Sequence, residues 1–286
     1  MAIDQLLRRR FGLFLKGAKF RQPYTISPSS RKPIGKLRLR FAFTSACEVQ
    51  GAHLAIESAD KVKMWLDGQE AKMKVDGWWV DKSIKTIPLP YITKGIHMIE
   101  LEYDYGMLTN LERIYILGSF GVDVRGRTTS IVPLDLSTVE WGDITRQNLP
   151  FYTGNITYHC TFTSLCNAPQ AIRVARYAGP AVSVDVDGSR AALLVHEPYA
   201  FELGTLPKGE HTIDFTCYGD RHNAFGAVHL VPNKTNWLNA DTWRSDYDWW
   251  SEEYVLGEIG ILNAPRIEEP GLEVPKQVRR GLMLHV

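Results

Sequence analysis

Two stretches of the chain, 120 residues apart, carry the same succession of strand and turn signals. VKMWLDG at 62–68 and VSVDVDG at 182–188 each run an alternating strand into Asp-Gly, a dipeptide that favours a tight hairpin turn. ITKGIHMIELEY at 92–103 and LPKGEHTIDFTC at 206–217 each place a histidine two residues after a Lys-Gly turn. An offset of this length fits one β-sandwich, so the repeat predicts two related sandwiches in tandem.

Alternation of apolar and polar residues continues through most of the chain after about residue 36. It is clear in KLRLRFAF at 36–43 and in four later segments, which are 99–105, 156–162, 182–186 and 213–217. Such alternation is typical of antiparallel strands with one face open to water. The sequence therefore predicts an all-β chain of two tandem antiparallel β-sandwiches, of jelly-roll, galactose-binding-like architecture, with less than about 15% helix.

The N-terminus is the one segment that is typical of a helix. Ile3, Leu6, Leu7, Phe11 and Phe14 recur at steps of three and four residues, which predicts a short helix whose apolar face packs against a partner surface. The predicted organisation is a lead-in helix and linker at 1–30, a first sandwich at 31–126, a second sandwich with a Trp-rich loop at 127–268, and a docking or disordered tail at 269–286.

Charge and apolar patterning argue against several classes of partner. Lys and Arg number 33 and Asp and Glu 32, so the net charge of +1 gives no field to steer nucleic acid or an anionic membrane. No run approaches the roughly 20 apolar residues of a membrane span. The N-terminus lacks the order of a secretory signal, which favours a cytoplasmic location. The four cysteines fall at unrelated spacings, so we expect reduced thiols and no zinc site.

Catalytic motifs are missing from the sequence. It has no GxSxG, GxGxxG, Walker loop or HExxH. Glu112 in NLERIY and Glu197 in VHEPY are weak candidates for the acid of a small glycosidase, and solvated surface acids are the alternative for both. Asp185, Asp187 and Asp220 could supply oxygen ligands to a structural Ca²⁺, but no ligand spacing requires one, so no metal or other cofactor is predicted.

Half of the eight tryptophans fall within fourteen residues. Indole faces present a flat apolar surface to the C–H face of a sugar, while carboxylates and guanidinium groups bind its hydroxyls. The alternative is that these rings plug the end of a sandwich or pack on the other domain. The predicted carbohydrate-binding residues of this segment are Trp237, Trp243, Trp249, Trp250, Arg244, Asp246 and Asp248.

WGDITRQNLPFYTGNITYHCTF at 141–162 resembles the entry to the sugar-binding jelly roll of family 2-like glycoside hydrolases and large bacterial α-L-rhamnosidase-like proteins. The segments 218–231 and 242–262 are similar to the close of that domain, and 108–122 is similar to the last strands of the preceding sandwich. Such proteins carry a much larger catalytic barrel, which does not fit into 286 residues. The resemblance implies an accessory β-sandwich region and adds Tyr152, His222 and Asn223 to the carbohydrate-binding residues.

The predicted function is non-catalytic carbohydrate binding, or an accessory role, in a glycoside-hydrolase-like protein. One alternative is a bracing module that docks a catalytic domain or partner subunit. A second is a small glycosidase, so the sequence leaves open whether the chain is an enzyme.

Overall fold

A computed structural model describes residues 2–15, 23–165, 167–231, 250–268, 276–277 and 279–285. Strands hold 46% of the residues and helices 11%, which confirms the prediction of an all-β chain with little helix. The chain forms two compact units. Met1–Pro133 and His229–Val255 make up the first unit, and Leu134–Val228 and Leu256–Val286 make up the second.

The first unit starts with a helix and continues with strands. In chain order, its elements are α1 (Ala2–Arg10), β1 (Gly35–Ser45), β2 (His53–Glu57), β3 (Val62–Leu66), β4 (Gln69–Ala71), β5 (Gly77–Trp79), β6 (Asp81–Pro88), β7 (Gly95–Tyr105), β8 (Tyr115–Leu117), β9 (Gly121–Arg125) and β10 (Thr128–Val132). One sheet has the order β4-β3-β7-β1-β10-β9 and the other β5-β6-β2-β8.

These two sheets enclose one hydrophobic core. Leu54 and Ile87 of the smaller sheet belong to the same buried cluster as Met64, Ile99 and Leu101 of the larger one. Burial alternates along β7 from Ile99 to Tyr105, where the apolar residues are buried and the acidic residues between them are more exposed, as the sequence pattern predicts. The first unit is therefore a β-sandwich.

The second unit is also built from two main sheets. Its elements are β11 (Asn155–Ser164), β12 (Ala168–Arg173), β13 (Tyr177–Ala178), β14 (Val182–Val186), β15 (Ser189–Leu194), β16 (Ala200–Leu206), β17 (Gly209–Cys217), α2 (His222–Phe225), β18 (Gly260–Ile261), β19 (Arg266–Glu268), β20 (Lys276–Gln277) and β21 (Arg279–His285). The sheets have the orders β15-β14-β17-β11-β21 and β16-β12-β19-β20, and β13 pairs with β18.

The core of the second unit lies between its two main sheets. Tyr158, Val184 and Phe215 of the larger sheet share a buried cluster with Ile172 and Ile267 of the smaller one. This unit is likewise a β-sandwich.

The two Asp-Gly turns of the sequence repeat adopt the same backbone geometry. Asp67 and Gly68 have φ values of 51° and 81°, and Asp187 and Gly188 have 47° and 76°. Positive φ at both central residues is typical of a type I′ hairpin, the turn that the dipeptide predicts. Each turn joins a hairpin, β3–β4 or β14–β15, at one edge of the larger sheet of its unit.

Three features differ from the sequence prediction. β1 pairs in parallel with β10, through Thr44–Ser130 and Ser45–Ile131, although only antiparallel pairing was expected. The expected tail contains a strand, because β21 pairs antiparallel with β11. The ends of the Trp-rich segment group with the first unit instead of the second, since His229–Val255 belongs to the first unit.

The N-terminal helix buries a charged pair instead of its predicted apolar stripe. Arg8 Nε donates to Asp4 Oδ2 at 3.0 Å, and both side chains are almost fully buried. Arg8 also donates to the carbonyl oxygens of Phe14 and Thr109, at 3.0 and 2.8 Å. Within the described ranges, no helix has the length and apolar character that crossing a bilayer requires.

Candidate functional site

The Trp-rich segment starts and ends at the same place in the first unit. Leu230 and Trp250 form an antiparallel bridge. The Ser251 amide donates to the His229 carbonyl at 2.7 Å, so the base of the segment is closed. Trp250 lies at this base. The other predicted sugar-binding residues of the segment lie outside the described residues, and they are Trp237, Trp243, Arg244, Asp246, Asp248 and Trp249.

Aromatic rings pack at this closed base. The His229 ring stacks on Trp250, with centroids 4.7 Å apart and planes at 26°, and lies 4.6 Å from the Tyr254 ring. His229 Nδ1 lies 3.1 Å from the Ser251 carbonyl oxygen and 3.2 Å from that of Glu253. Both oxygens accept, so Nδ1 carries a proton and the ring orientation is fixed.

Arg113 and two further rings extend the group. Arg113 hydrogen-bonds the side chain of Tyr115 and interacts with Tyr254. Burial lowers the pKa of the Arg113 guanidinium and raises the pKa of both phenols. Trp79 packs edge-on against Tyr115 at a centroid distance of 4.8 Å. We call these residues the ring cluster, and its members are Trp79, Arg113, Tyr115, His229, Trp250 and Tyr254.

The ring cluster is associated with the outer face of the smaller sheet of the first unit. Ala55 in β2 is a register partner of Tyr115, and its side chain points away from the core that Leu54 and Ile56 enter. Ala55 is nevertheless completely buried, so this outer face is covered at that point. Tyr254 is further held by its amide, which donates to the Gly126 carbonyl at 3.0 Å.

Trp78 and Trp79 differ sharply in exposure, as strand alternation predicts for adjacent residues. Trp79 is half-buried in the ring cluster, whereas Trp78 has 54% of its surface exposed. Val80 follows them with a φ of 66°, which is unfavourable for a β-branched residue, at the turn between β5 and β6. Trp78 is therefore an exposed indole of the same unit that does not belong to the ring cluster.

Three predicted site residues lie in the second unit and have structural contacts. The Tyr152 hydroxyl donates to the Asn155 carbonyl at 3.1 Å, and its ring packs on the core. Asn223 is 2% exposed, and its amide exchanges two hydrogen bonds with the Gly257 backbone, at 2.8 and 2.9 Å. His222 is exposed at the start of α2, where Asp220 accepts its backbone N–H. The structure does not bring these residues together with Trp250 in one unit.

The candidate catalytic acids lie in different units. Glu112 is exposed in the first unit beside Arg113, and Glu197 is exposed in the second. Burial raises the pKa of Tyr115, and the positive charge of Arg113 lowers it. The negative charges of Glu112 and Glu57 raise it as well. Glu57 thus joins Glu112 as a carboxylate near the ring cluster, and sequence reasoning did not find it.

The three candidate calcium ligands are used by other groups. Asp185 pairs with Arg190 at 2.8 Å, Asp187 with His211 at 2.7 Å, and Asp220 accepts from the His222 amide at 2.9 Å. In the described part of the chain, no three His, Cys, Asp or Glu residues gather where they could hold a metal ion.

The described cysteines are free thiols, and they are Cys47, Cys160 and Cys217. Burial raises the pKa of Cys217 to about 12, so this thiol is protonated and inert at neutral pH. Cys166 lies outside the described residues.

Sequence reasoning assigned only Trp250 of the ring cluster to the site and missed the other five members, which are Trp79, Arg113, Tyr115, His229 and Tyr254. Arg113 and Tyr115 alternate with Ile114 in ERIY, a pattern that would place both on one face of a strand. Tyr254 directly follows the acidic residues at the end of the Trp-rich segment. Nothing in the sequence relates residues near 113 to residues near 250. They belong to the same unit because the chain comes back to the first unit after residue 228.

Comparison with known proteins gives similarities at the level of solved structures alone. No protein-family model matches the chain, and no curated protein matches it. A rhamnosidase from Novosphingobium sp. PP1Y aligns with 80% of this chain at 15% identity and a TM-score of 0.31. The chain spans only 22% of the length of that rhamnosidase.

A Pleurotus ostreatus lectin is a second structural neighbour. Its apo form aligns with 67% of this chain and 69% of its own, at 10% identity and a TM-score of 0.24. Its complex with GalNAc aligns with 66% and 70%, at the same identity and TM-score. At such low scores, neither similarity assigns a family or a ligand to this chain.

Proposed function

We propose that the chain binds carbohydrate without catalysis, through the ring cluster of the first unit and the Trp-rich segment whose two ends meet beside it. The observation that carries this proposal is the closed base at Leu230 and Trp250, where His229 orients the Trp250 ring. A rigid stack at the base supports an aromatic platform, because little side-chain entropy is then lost when a sugar binds.

The location differs from the sequence expectation, which assigned the site to the second sandwich. In this proposal the predicted residues of the Trp-rich segment supply stacking and polar contacts, and Trp250 belongs to the ring cluster of the first unit. Tyr152 and Asn223 hold the fold of the second unit instead. Each stacked ring contributes about 1–2 kcal/mol, so we expect dissociation constants of ~10 μM to ~1 mM.

A glycan array followed by calorimetry on the best hit tests carbohydrate binding. We expect Trp250→Ala to weaken binding by roughly 5- to 30-fold, which corresponds to the loss of one stacked ring. Trp243→Ala and Trp249→Ala are expected to act in the same direction. Trp78→Ala is the matched control, since Trp78 is an exposed indole of the same unit outside the ring cluster. It should bind like the parent chain.

Two outcomes would contradict the proposal. Either no glycan binds at all, or the Trp243→Ala and Trp249→Ala variants unfold while the parent chain binds only a partner protein. Circular dichroism of each variant separates lost binding from lost fold.

A catalytic alternative rests on Glu112 and Glu57, whose charges both act on Tyr115. Retaining and inverting glycosidases use carboxylate pairs separated by about 5–9.5 Å. We expect no turnover of an aryl glycoside panel. Turnover that disappears in Glu112→Gln and persists in Glu197→Gln would assign catalysis to this pair and overturn the non-catalytic proposal.

A bracing role is the other candidate, and the N-terminal helix favours it. Ile3, Leu6 and Phe11 are each more than half exposed, whereas Leu7 packs on the core of the first unit. An exposed apolar surface of this kind fits a catalytic domain or partner subunit. Light scattering that shows a monomer, together with no capture of such a partner, would argue against bracing.

A further inference from the structure

Two buried histidines occupy equivalent positions in the two units and make the same contacts. His97 Nδ1 lies 2.7 Å from Asp67 Oδ2, and its Nε2 lies 2.9 Å from the Thr93 carbonyl oxygen. His211 repeats these distances with Asp187 and the Pro207 carbonyl, at 2.7 and 2.9 Å. The exposed fractions of the two histidines are 6% and 8%.

Each histidine therefore joins two turns of its unit. The aspartate belongs to the Asp-Gly hairpin, and its other oxygen accepts the next backbone amide after the histidine, Met98 at 2.8 Å or Thr212 at 3.0 Å. The carbonyl belongs to the Lys-Gly turn that precedes β7 or β17. We call each histidine, with its aspartate and its carbonyl, a latch.

The proton count of a latch follows from its acceptors. A carboxylate and a carbonyl both accept hydrogen bonds, so both ring nitrogens must donate, and only the imidazolium form has two N–H groups. A neutral ring would turn a lone pair toward one of the two acceptors. The contact of Nδ1 with the aspartate is charge-assisted and is the stronger of the two hydrogen bonds. When the ring loses a proton, it therefore loses the one on Nε2.

We propose that His97 and His211 are imidazolium ions in the folded chain, and that loss of the Nε2 proton releases the Lys-Gly turn of each unit while the Asp-Gly hairpin stays attached. The two latches form a matched, proton-dependent device that holds one end of each larger sheet. This role goes beyond carbohydrate binding and does not depend on it.

Few other charges face these rings. A phenylalanine stacks on each histidine, Phe43 on His97 at 5.2 Å and Phe162 on His211 at 5.4 Å. The charged side chain that acts on each ring is its own aspartate. Lys94 and Lys208, in the adjoining turns, are exposed.

The direction of each pKa agrees with this proton count. Burial lowers the pKa of His97, but the hydrogen bonds to Asp67 and to the Thr93 carbonyl outweigh it, and the net pKa is raised above 6.5. The contact with Asp187 does the same for His211. The pKa values of both aspartates are lowered below 3.8. For Asp67, burial raises the pKa, but the hydrogen bonds from His97 and the Met98 amide outweigh it. For Asp187, the hydrogen bond from His211 is the largest cause.

These directions set the pH window of stability. The histidine contribution is complete below about pH 6.5 and is lost as the pH rises through the raised pKa. The aspartate contribution is complete above about pH 3.9 and is lost as the pH falls through the lowered pKa. We expect the latches to contribute most to the unfolding midpoint between these two limits.

Histidine side-chain NMR of the full chain from pH 5 to 9 tests the proposal without any substitution. At pH 5 we expect nitrogen shifts of doubly protonated rings for His97 and His211. At higher pH, Nε2 should lose its proton while Nδ1 keeps it. The Lys208 amide of the second Lys-Gly turn donates to Asn167 Oδ1 at 2.8 Å, and its hydrogen exchange should then accelerate by about tenfold or more beyond its intrinsic pH dependence, while the Thr212 amide stays protected.

His159 provides a matched control. Its Nδ1 contacts Asp214 at 2.8 Å, but its Nε2 has no hydrogen-bond partner among the residues that the structure describes. His97→Gln and His211→Gln should each reduce the fall in the unfolding midpoint between pH 6 and pH 8, and His159→Gln should leave that fall unchanged. Neutral, singly protonated rings at pH 5, or release of the Met98 and Thr212 amides before the Lys-Gly turns, would overturn the proposal.

Discussion

The Arg8→Ala variant is expected to lose its docked N-terminal helix, at a cost of about 3–5 kcal/mol to the docked state. The substitution leaves the Asp4 carboxylate buried without its guanidinium partner. It also removes the donors that the Phe14 and Thr109 carbonyls use. Hydrogen exchange of the helix amides measures the effect, and we expect protection of Ala2–Arg10 to fall to the level of a free peptide.

Arg9→Ala is the control for this variant, because Arg9 is exposed in the same turn of the same helix. It should keep its helix protected and change stability by no more than about 0.5 kcal/mol. Equal protection of the helix in the Arg8→Ala variant and the parent chain would show that apolar contacts such as that of Leu7 hold it instead.

The second large effect concerns the core of the second unit. Tyr158 is fully buried, and its ring stacks on Trp141 with centroids 4.4 Å apart and planes at 17°. Tyr158→Ala removes this stack and leaves a cavity between the sheets, so we expect a loss of about 3–5 kcal/mol in the free energy of unfolding. Chemical denaturation measures the loss, and the unfolding of the second unit should move to lower denaturant.

Tyr158→Phe separates packing from hydrogen bonding at the same position. The Ile261 amide donates to the Tyr158 hydroxyl over a long 3.4 Å. Its removal should cost about 1 kcal/mol or less, while the ring stack is retained. If the phenylalanine variant loses as much stability as the alanine variant, the hydroxyl and not the ring stabilises this core.

The parts of the fold that the sequence predicts well are those that residues adjacent in the sequence determine. Asp-Gly specifies a turn with positive φ at two successive positions, and both hairpins have it. The sequence repeat also places His97 and His211 at the same position in the two units, two residues after a Lys-Gly turn. What the sequence could not supply is their acceptor pair, since each aspartate lies more than twenty residues away along the chain.

The N-terminal helix shows how a long-range contact overrides an apolar pattern. Its stripe predicted that Leu6 and Phe11 face inward, yet both are exposed while Asp4 and Arg8 are buried. Carbonyl oxygens beyond β7, that of Thr109 among them, accept hydrogen bonds from the Arg8 guanidinium on the helix. Periodicity reports which side chains are apolar, but it carries no information about acceptors on a distant loop.

Long-range contacts also limit how much of the candidate site the sequence can predict. The density of tryptophan identified the segment, and Trp250 lies where rings do pack. Its assignment to a unit was beyond the sequence, because the chain passes through the second sandwich and then returns to the first. Other members of the ring cluster, such as Tyr115, come from strands more than a hundred residues earlier.

The interleaved chain path also bears on folding and on protein engineering. The ribosome synthesises most of the second unit, Leu134–Val228, before it reaches the His229–Val255 segment of the first unit. The second unit is completed only when Leu256–Val286 follows. Neither sandwich can therefore finish folding co-translationally before residue 255 has emerged. A single cut at residue 133 yields two incomplete halves, so isolating either unit calls for a deletion bridged by a linker.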